Sequence, residues 1–383
     1  MRKTPLVLLA VLASVVTGCS GGGSSDSAVP SSGSAAPASA PVTTPQRDCK
    51  AEFLAQFTPR QKLAQLLTVG VSSAADAENV VRGEQIGGIF VGSFTDKALL
   101  ASGQIDQVMA AAKVPLMVTI DEEGGRVSRV KDLIGAAPSA RATAETMTPD
   151  QFYEATLVRA RKLKDLGITV DFAPDVDVSS EPDDDVIGDR SFSDDPEIVT
   201  QYARAYIRAM NEVGLGSVMK HFPGHGSASG DSHQGAVRTP PLTELVGSDL
   251  MPYRELNGMG AAVMVGHLDV PGLTAPDVPA SISPEAMALL RTGTGYGAAP
   301  FDGVIFTDDL SGMKAITARM DIADAVQAAL AAGADNALWI NTSAVPEVLD
   351  QLEQAVASGK LPSGQVDASV LRMAKYKGIS TQC

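Results

Sequence analysis

Short runs of apolar residues alternate with helical periods along most of the chain. The runs lie at Leu66–Val71, Ile86–Val91, Leu116–Ile120, Ile168–Phe172, Ser217–Lys220, Ala261–Val265, Val304–Phe306 and Ala337–Ile340. They are continuous and often β-branched, the pattern of parallel strands buried on both faces. Helical spacing marks Phe53–Leu66, Asp106–Ala112, Pro149–Leu166, Pro196–Val213, Pro284–Leu290 and Ile322–Ala332. Start signals precede several of them, as in Thr148-Pro149-Asp150 and Asp194-Asp195-Pro196. Eight strands alternating with helices predict a single α/β domain, a (β/α)8 TIM-type barrel over residues 49–383. An open doubly wound sheet is the alternative, but no Gly-rich phosphate fingerprint follows the first strand.

The first 48 residues do not share this pattern. Arg2 and Lys3 precede a short apolar stretch, Leu6 to Val16, well under the roughly 20 residues of a membrane span. Val16-Thr17-Gly18-Cys19 resembles a bacterial lipobox, in which cleavage exposes a cysteine that is then acylated. Residues 1–18 are therefore expected to be a lipoprotein signal peptide, with Cys19 the lipidated residue. A plain secretory signal is the alternative. Residues 19–48 are rich in Ser, Gly, Ala and Pro, too poor in large apolar groups to fold, and read as a disordered linker. The expected location is exported and lipid-anchored at the outer face of the cell membrane.

Two cysteines remain, Cys49 and Cys383. Export would place them where disulfides persist. A closed barrel brings its ends together, so a Cys49–Cys383 bridge is expected, with two free thiols as the alternative. The net charge of −15 argues against nucleic acid as a partner, because phosphate binding needs clustered Lys and Arg. No solenoid or propeller repeat is present.

In a barrel, the polar residues that directly follow the strands converge at one face. Here they are Asp121, Asp175, Asp177, Lys220, His221, His267, Asp308, Asp309 and Asn341. The chain has four histidines, and three of them, His221, His225 and His233, lie between Lys220 and His233. Gly224, Gly226 and Gly230 in that segment suggest a mobile loop. Asp231 lies two residues before His233, close enough in a turn to orient the imidazole and favour its protonated form. Asp308, first after a very apolar strand, suits attack on an anomeric carbon, while Asp309 suits a helix cap. Zinc ligation by His221, His225, Asp231 and His233 is a second reading, but Pro223-Gly224 breaks the helix that a His-x3-His pair needs.

Four motifs together carry a family resemblance. Lys220-His-Phe-Pro-Gly-His-Gly with Asp231-Ser-His233, Asp121-x-Glu-Gly-Gly-Arg-Val-x-Arg129, Gly188-Asp-Arg190-Ser-Phe, and Thr307-Asp308-Asp309-Leu310-Ser resemble glycoside hydrolase family 3, in its β-N-acetylglucosaminidase branch. The Asp231-Ser-His233 element discriminates most, since β-glucosidases of the family use a glutamate from a second domain. The resemblance implies Asp308 as nucleophile and His233 as acid/base, paired with Asp231. It implies that Asp121, Arg129, Arg190, Lys220 and His221 hold N-acetylglucosamine (GlcNAc). One departure is Gly312, which stands where the family has Met, so that Met313 comes one residue late. His225 and His267 are read as structural, and Trp339 as core.

The implied activity is that of a retaining exo-β-N-acetylglucosaminidase releasing terminal GlcNAc from peptidoglycan-derived fragments. No cofactor or metal is implied. GlcNAc-containing muropeptides and, through the lipid, the membrane are the expected partners of a monomer. Phosphorolysis is an alternative outcome at the same site. A metal-dependent barrel hydrolase and a non-catalytic sugar-binding lipoprotein are alternatives of other classes.

Overall fold

The computed structural model describes residues 47–383. The signal peptide, Cys19 and nearly all of the linker expected from the sequence lie outside the described residues. Eight parallel strands close into a barrel: β1 (Leu67–Gly70), β2 (Gly88–Val91), β3 (Met117–Ile120), β4 (Val170–Asp171), β5 (Gly216–Phe222), β6 (Ala262–Val265), β7 (Ile305–Asp309) and β8 (Asn336–Trp339). Each strand pairs with its neighbour in sequence, and β1 pairs with β8 to close the ring, Val69 lying between Ile89 and Trp339. The (β/α)8 expectation therefore holds, and the open sheet does not.

The barrel interior is filled by side chains, as this architecture requires. Phe172 packs against Phe90 at 5.9 Å and against Phe306 at 5.4 Å between ring centres. Trp339 is fully buried on β8. Burial of such rings removes large apolar areas from water and dominates the core energetics.

The long helices begin where the sequence signals them. Pro149–Asp165 starts at Thr148, whose hydroxyl accepts from the Gln151 N–H while the Gln151 side chain returns to the Thr148 N–H. Pro196–Val213 starts at Asp195 and ends at Gly214 in the left-handed conformation. The expected helix Phe53–Leu66 is two helices, Cys49–Leu54 and Pro59–Ala64. Thr58 forms a capping box with Gln61, so a new helix starts where a single one was expected to continue. Ala74–Glu84, Val345–Ala357 and Ser363–Tyr376 are further helices that the spacing did not single out.

A disulfide joins Cys49 to Cys383, with the Cα atoms 5.5 Å apart. It ties the first helix to the end of the chain. No helix among the described residues is long and apolar enough to cross a membrane.

Candidate active site

Three features at the C-terminal ends of the strands build the site. The first is a short hairpin after β3, Glu122–Gly124 paired with Val127–Ser128. Glu122 points inward and anchors it, accepting from the backbone N–H of Arg129 (2.6 Å) and Val130 (2.9 Å) and from the Ser128 hydroxyl and Arg159. The second is an extension of β4, in which Asp175 bridges to Lys220 alongside β5. The third is β5 itself, which runs on through His221 to Phe222. The peptide bonds Lys220–His221 and Phe222–Pro223 are cis.

These segments bring opposite charges together out of water. Lys220 is 2% exposed, and its ammonium contacts Asp121 at 2.8 Å and Glu123 at 2.6 Å. Glu123 also takes a two-pronged contact from Arg190, at 2.8 and 2.9 Å. Arg129 approaches Asp121 at 3.5 Å. Burial alone would raise the Glu123 carboxyl, but Arg190 and Lys220 outweigh it and hold the group far below the carboxylate range. Glu123 is thus an organising residue, visible in the sequence only as one position of the Asp121–Arg129 motif.

His221 is fixed from behind. Its Nδ1 lies 2.7 Å from Asp177 Oδ2, and Asp177 Oδ1 accepts from the backbone N–H of His221 and His225. Burial disfavours the imidazolium, yet Asp177 prevails and raises the His221 pKa above its ordinary value. Asp175 accepts from the Asp177 N–H; burial, and then the Asp177 charge, push its carboxyl well upward. Asp175, Asp177 and His221 form a compact group that can offer three ligand atoms to an ion. The four residues considered as zinc ligands divide differently: the His221 ring bonds Asp177, the His233 ring bonds Asp231, and His225 meets Asp177 through its backbone N–H alone.

Asp308 is partly accessible near the end of β7. Burial would raise its carboxyl; His221, His267, the Asp309 N–H (2.8 Å) and Lys220 together lower it below the ordinary value. It is therefore an anion at neutral pH. His267 serves the backbone beside it. Its Nε2–H donates to the Asp309 carbonyl at 2.8 Å, while Nδ1 faces the Ser281 hydroxyl at 2.7 Å. Asp309 turns the chain, accepting from the N–H and hydroxyl of Ser311. A side chain at Gly312 would meet the Asp309 carboxylate at 2.4 Å, and that carboxylate would have to shift.

Asp231 and His233 meet as the spacing suggested. His233 Nδ1 lies 2.8 Å from Asp231 Oδ1, which also accepts from the His233 N–H at 2.9 Å. The His233 side chain is 64% exposed. The loop is anchored at two points. Ser229 pairs with Arg238, and buried Ser232 accepts from the Ala315 N–H at 3.0 Å and donates to Met313 Sδ at 3.3 Å. Gly226 answers to packing, since a Cβ there would sit 2.2 Å from the Val178 carbonyl oxygen.

One cavity of about 400 Å³ gathers Asp308, His233, Asp121, Arg129, Arg190, Lys220 and His221, with Glu123 and Met313 also in its wall. That is the size range of small-ligand pockets. Asp231 stands behind His233. Asn341 is exposed, accepts from Ser343, and takes no part.

A family model described as the glycosyl hydrolase family 3 N terminal domain matches residues 58–376. The chain belongs to glycosyl hydrolase family 3. Beta-hexosaminidase LpqI of Mycobacterium tuberculosis is 52% identical over 383 residues, covering 99% of this chain and 98% of that protein. The solved M. tuberculosis LpqI is similar at a TM-score of 0.84 and 54% identity, over 86% of this chain and 97% of that one. A family 3 glycosyl hydrolase from Mycobacterium smegmatis gives 0.82 and 57%, over 84% and 98%. A family 3 β-N-acetylglucosaminidase from Paenibacillus sp. gives 0.77 and 32%, over 84% of this chain and 62% of that one. The protein is a glycoside hydrolase.

Proposed function

We propose that this family 3 member is a β-N-acetylhexosaminidase that removes a terminal GlcNAc from peptidoglycan-derived fragments with retention of configuration. The observation that carries the reading is the shared cavity. An anionic Asp308 and an imidazole backed by Asp231 line one wall system, with Asp121, Arg129, Arg190, Lys220 and His221 beside them. The names of the relatives, β-hexosaminidase and β-N-acetylglucosaminidase, support the sugar class.

In the first step an Asp308 oxygen attacks the anomeric carbon and the glycosidic C–O bond breaks. His233 gives its Nε2 proton to the leaving oxygen. Asp231 at Nδ1 leaves Nε2 as the atom that exchanges protons. In the second step the neutral imidazole takes a proton from water. The water oxygen bonds to the anomeric carbon, and the Asp308 ester bond breaks. Buried carboxylates and cations grip the sugar hydroxyls with charge-assisted hydrogen bonds.

Because His233 is uncharged after the first step, it does not repel an anionic acceptor. Phosphate in place of water is the second reading, and it would yield GlcNAc 1-phosphate. The lipobox-like segment ending at Cys19, read as an export signal, supports action at the outer face of the membrane, where peptidoglycan fragments are at hand.

Trapping with a fluorinated GlcNAc analogue, followed by peptide mapping, tests the assignment. Label is expected on the peptide containing Asp308, and label elsewhere would overturn it. Product analysis with and without phosphate separates hydrolysis from phosphorolysis. Labelling with a radioactive fatty acid, lost in Cys19→Ala, tests the anchor.

A further inference from the structure

Among the described residues Phe94 is the one exposed Phe, Tyr or Trp side chain, at 45% of its full area. Leu133, Val158 and Ile198 are also exposed, but only Phe94 of these lines the cavity that holds Asp308 and His233. Its ring folds over the backbone of Gly92, where a Cβ would come within 2.3 Å of it.

The loop that carries it is braced on every side. The Thr95 hydroxyl accepts from the Gly92 N–H at 3.0 Å and donates to the Val71 carbonyl at 2.6 Å. Lys97 donates to the carbonyls of Gly92 (2.7 Å) and Thr95 (2.8 Å). The Asp96 N–H donates to the Ser72 carbonyl at 2.9 Å. The backbone on either side of Phe94 is therefore fixed, and its ring stands open to water in the wall of a polar cavity. Such a ring loses little conformational freedom when a ligand covers it.

We propose that Phe94 is the platform for the sugar on the leaving-group side of the scissile bond. The inference rests on the glycosidase reading above and deepens it. A pyranose with equatorial hydroxyls presents its C–H bonds to the faces of the ring. Those hydrogens suit the negative face of an aromatic side chain. The carboxylates and cations of the cavity supply hydrogen bonds for the terminal sugar and offer none of this apolar contact. Val127 and Val186, in the same wall, extend the apolar rim.

The test compares two substrates on wild type, Phe94→Ala and Phe94→Trp. One is a β-1,4-linked GlcNAc disaccharide, which has a leaving-group sugar. The other is N-acetyl-β-glucosaminyl fluoride, which has none. In Phe94→Ala the ratio of kcat/KM for disaccharide over fluoride is expected to fall about tenfold, and Phe94→Trp should restore it. An unchanged ratio in Phe94→Ala overturns the inference, whether both substrates lose activity together or neither does. A wild type active on the fluoride but inert on the disaccharide overturns the inference alone. A wild type inert on both overturns the glycosidase reading, and this inference with it.

Discussion

Glu123 and Arg190 meet through two parallel contacts of 2.8 and 2.9 Å, and Lys220 reaches the same carboxylate at 2.6 Å. One buried anion thus sets the position of two cations that line the cavity. Glu123→Gln keeps the shape and removes the charge. Breaking a buried ion pair from one side costs about 3–5 kcal/mol. The variant should unfold at lower temperature and show a raised KM for a chromogenic β-N-acetylglucosaminide. Wild-type values for both would show that the ion pair organises nothing.

Asp308→Ala removes a partly accessible side chain at the mouth of the barrel and no core residue, so the variant should still fold. Turnover is expected to drop by at least about 10⁴-fold, as for other residues that act as a unit with a proton donor. In the wild type the carboxyl lies below its ordinary value of 3.8. It stays ionised until the pH falls below that value, so the acid limb it sets in kcat/KM should lie there. An acid limb near pH 6 governed by this residue would contradict the charge balance around it.

Asp171 is a buried carboxyl that accepts from the Glu122 N–H at 2.9 Å and from the Tyr206 hydroxyl at 2.8 Å. Burial pushes it up to about 7. Between about pH 4 and 7 the folded protein therefore holds a proton that the unfolded chain releases. This group favours the folded state below that window, and its contribution is lost as the pH rises through it. Asp171→Asn mimics the protonated form. Its unfolding free energy, relative to wild type, should improve from pH 5 to pH 8 in urea titrations. A difference that stays constant with pH would remove the argument.

At Gly312 a methyl group would press on the Asp309 carboxylate, the acceptor for both donors of Ser311. Overpacking of this kind costs about 1–3 kcal/mol. Gly312→Ala should lose activity, because the displaced turn lies four residues past Asp308. Parallel circular dichroism and kinetic measurements would detect a variant that folds yet turns over slowly. Full activity would mean that the turn yields without cost.

The strands were legible because a parallel barrel buries both of their faces, leaving unbroken apolar runs such as Val304–Phe306. Asp231 and His233 were legible as a pair because they are close in sequence. Ala74–Glu84 was not legible: Asp, Glu, Asn and Arg cover most of its surface, and only Ala77, Val80 and Val81 are buried. Glu123 and Asp177 were quoted but given no role. Their partners Arg190 and His221 lie 67 and 44 residues away, and only loop convergence unites them. Phe94 carried no signal, because a lone Phe after a strand reads as core.

The Cys49–Cys383 bridge makes residues 49–383 a covalent ring. A protease that severs any one loop opens that ring but releases no fragment. The barrel strands remain tethered end to end and free to re-pair. One cut is thus a wound the molecule can outlast.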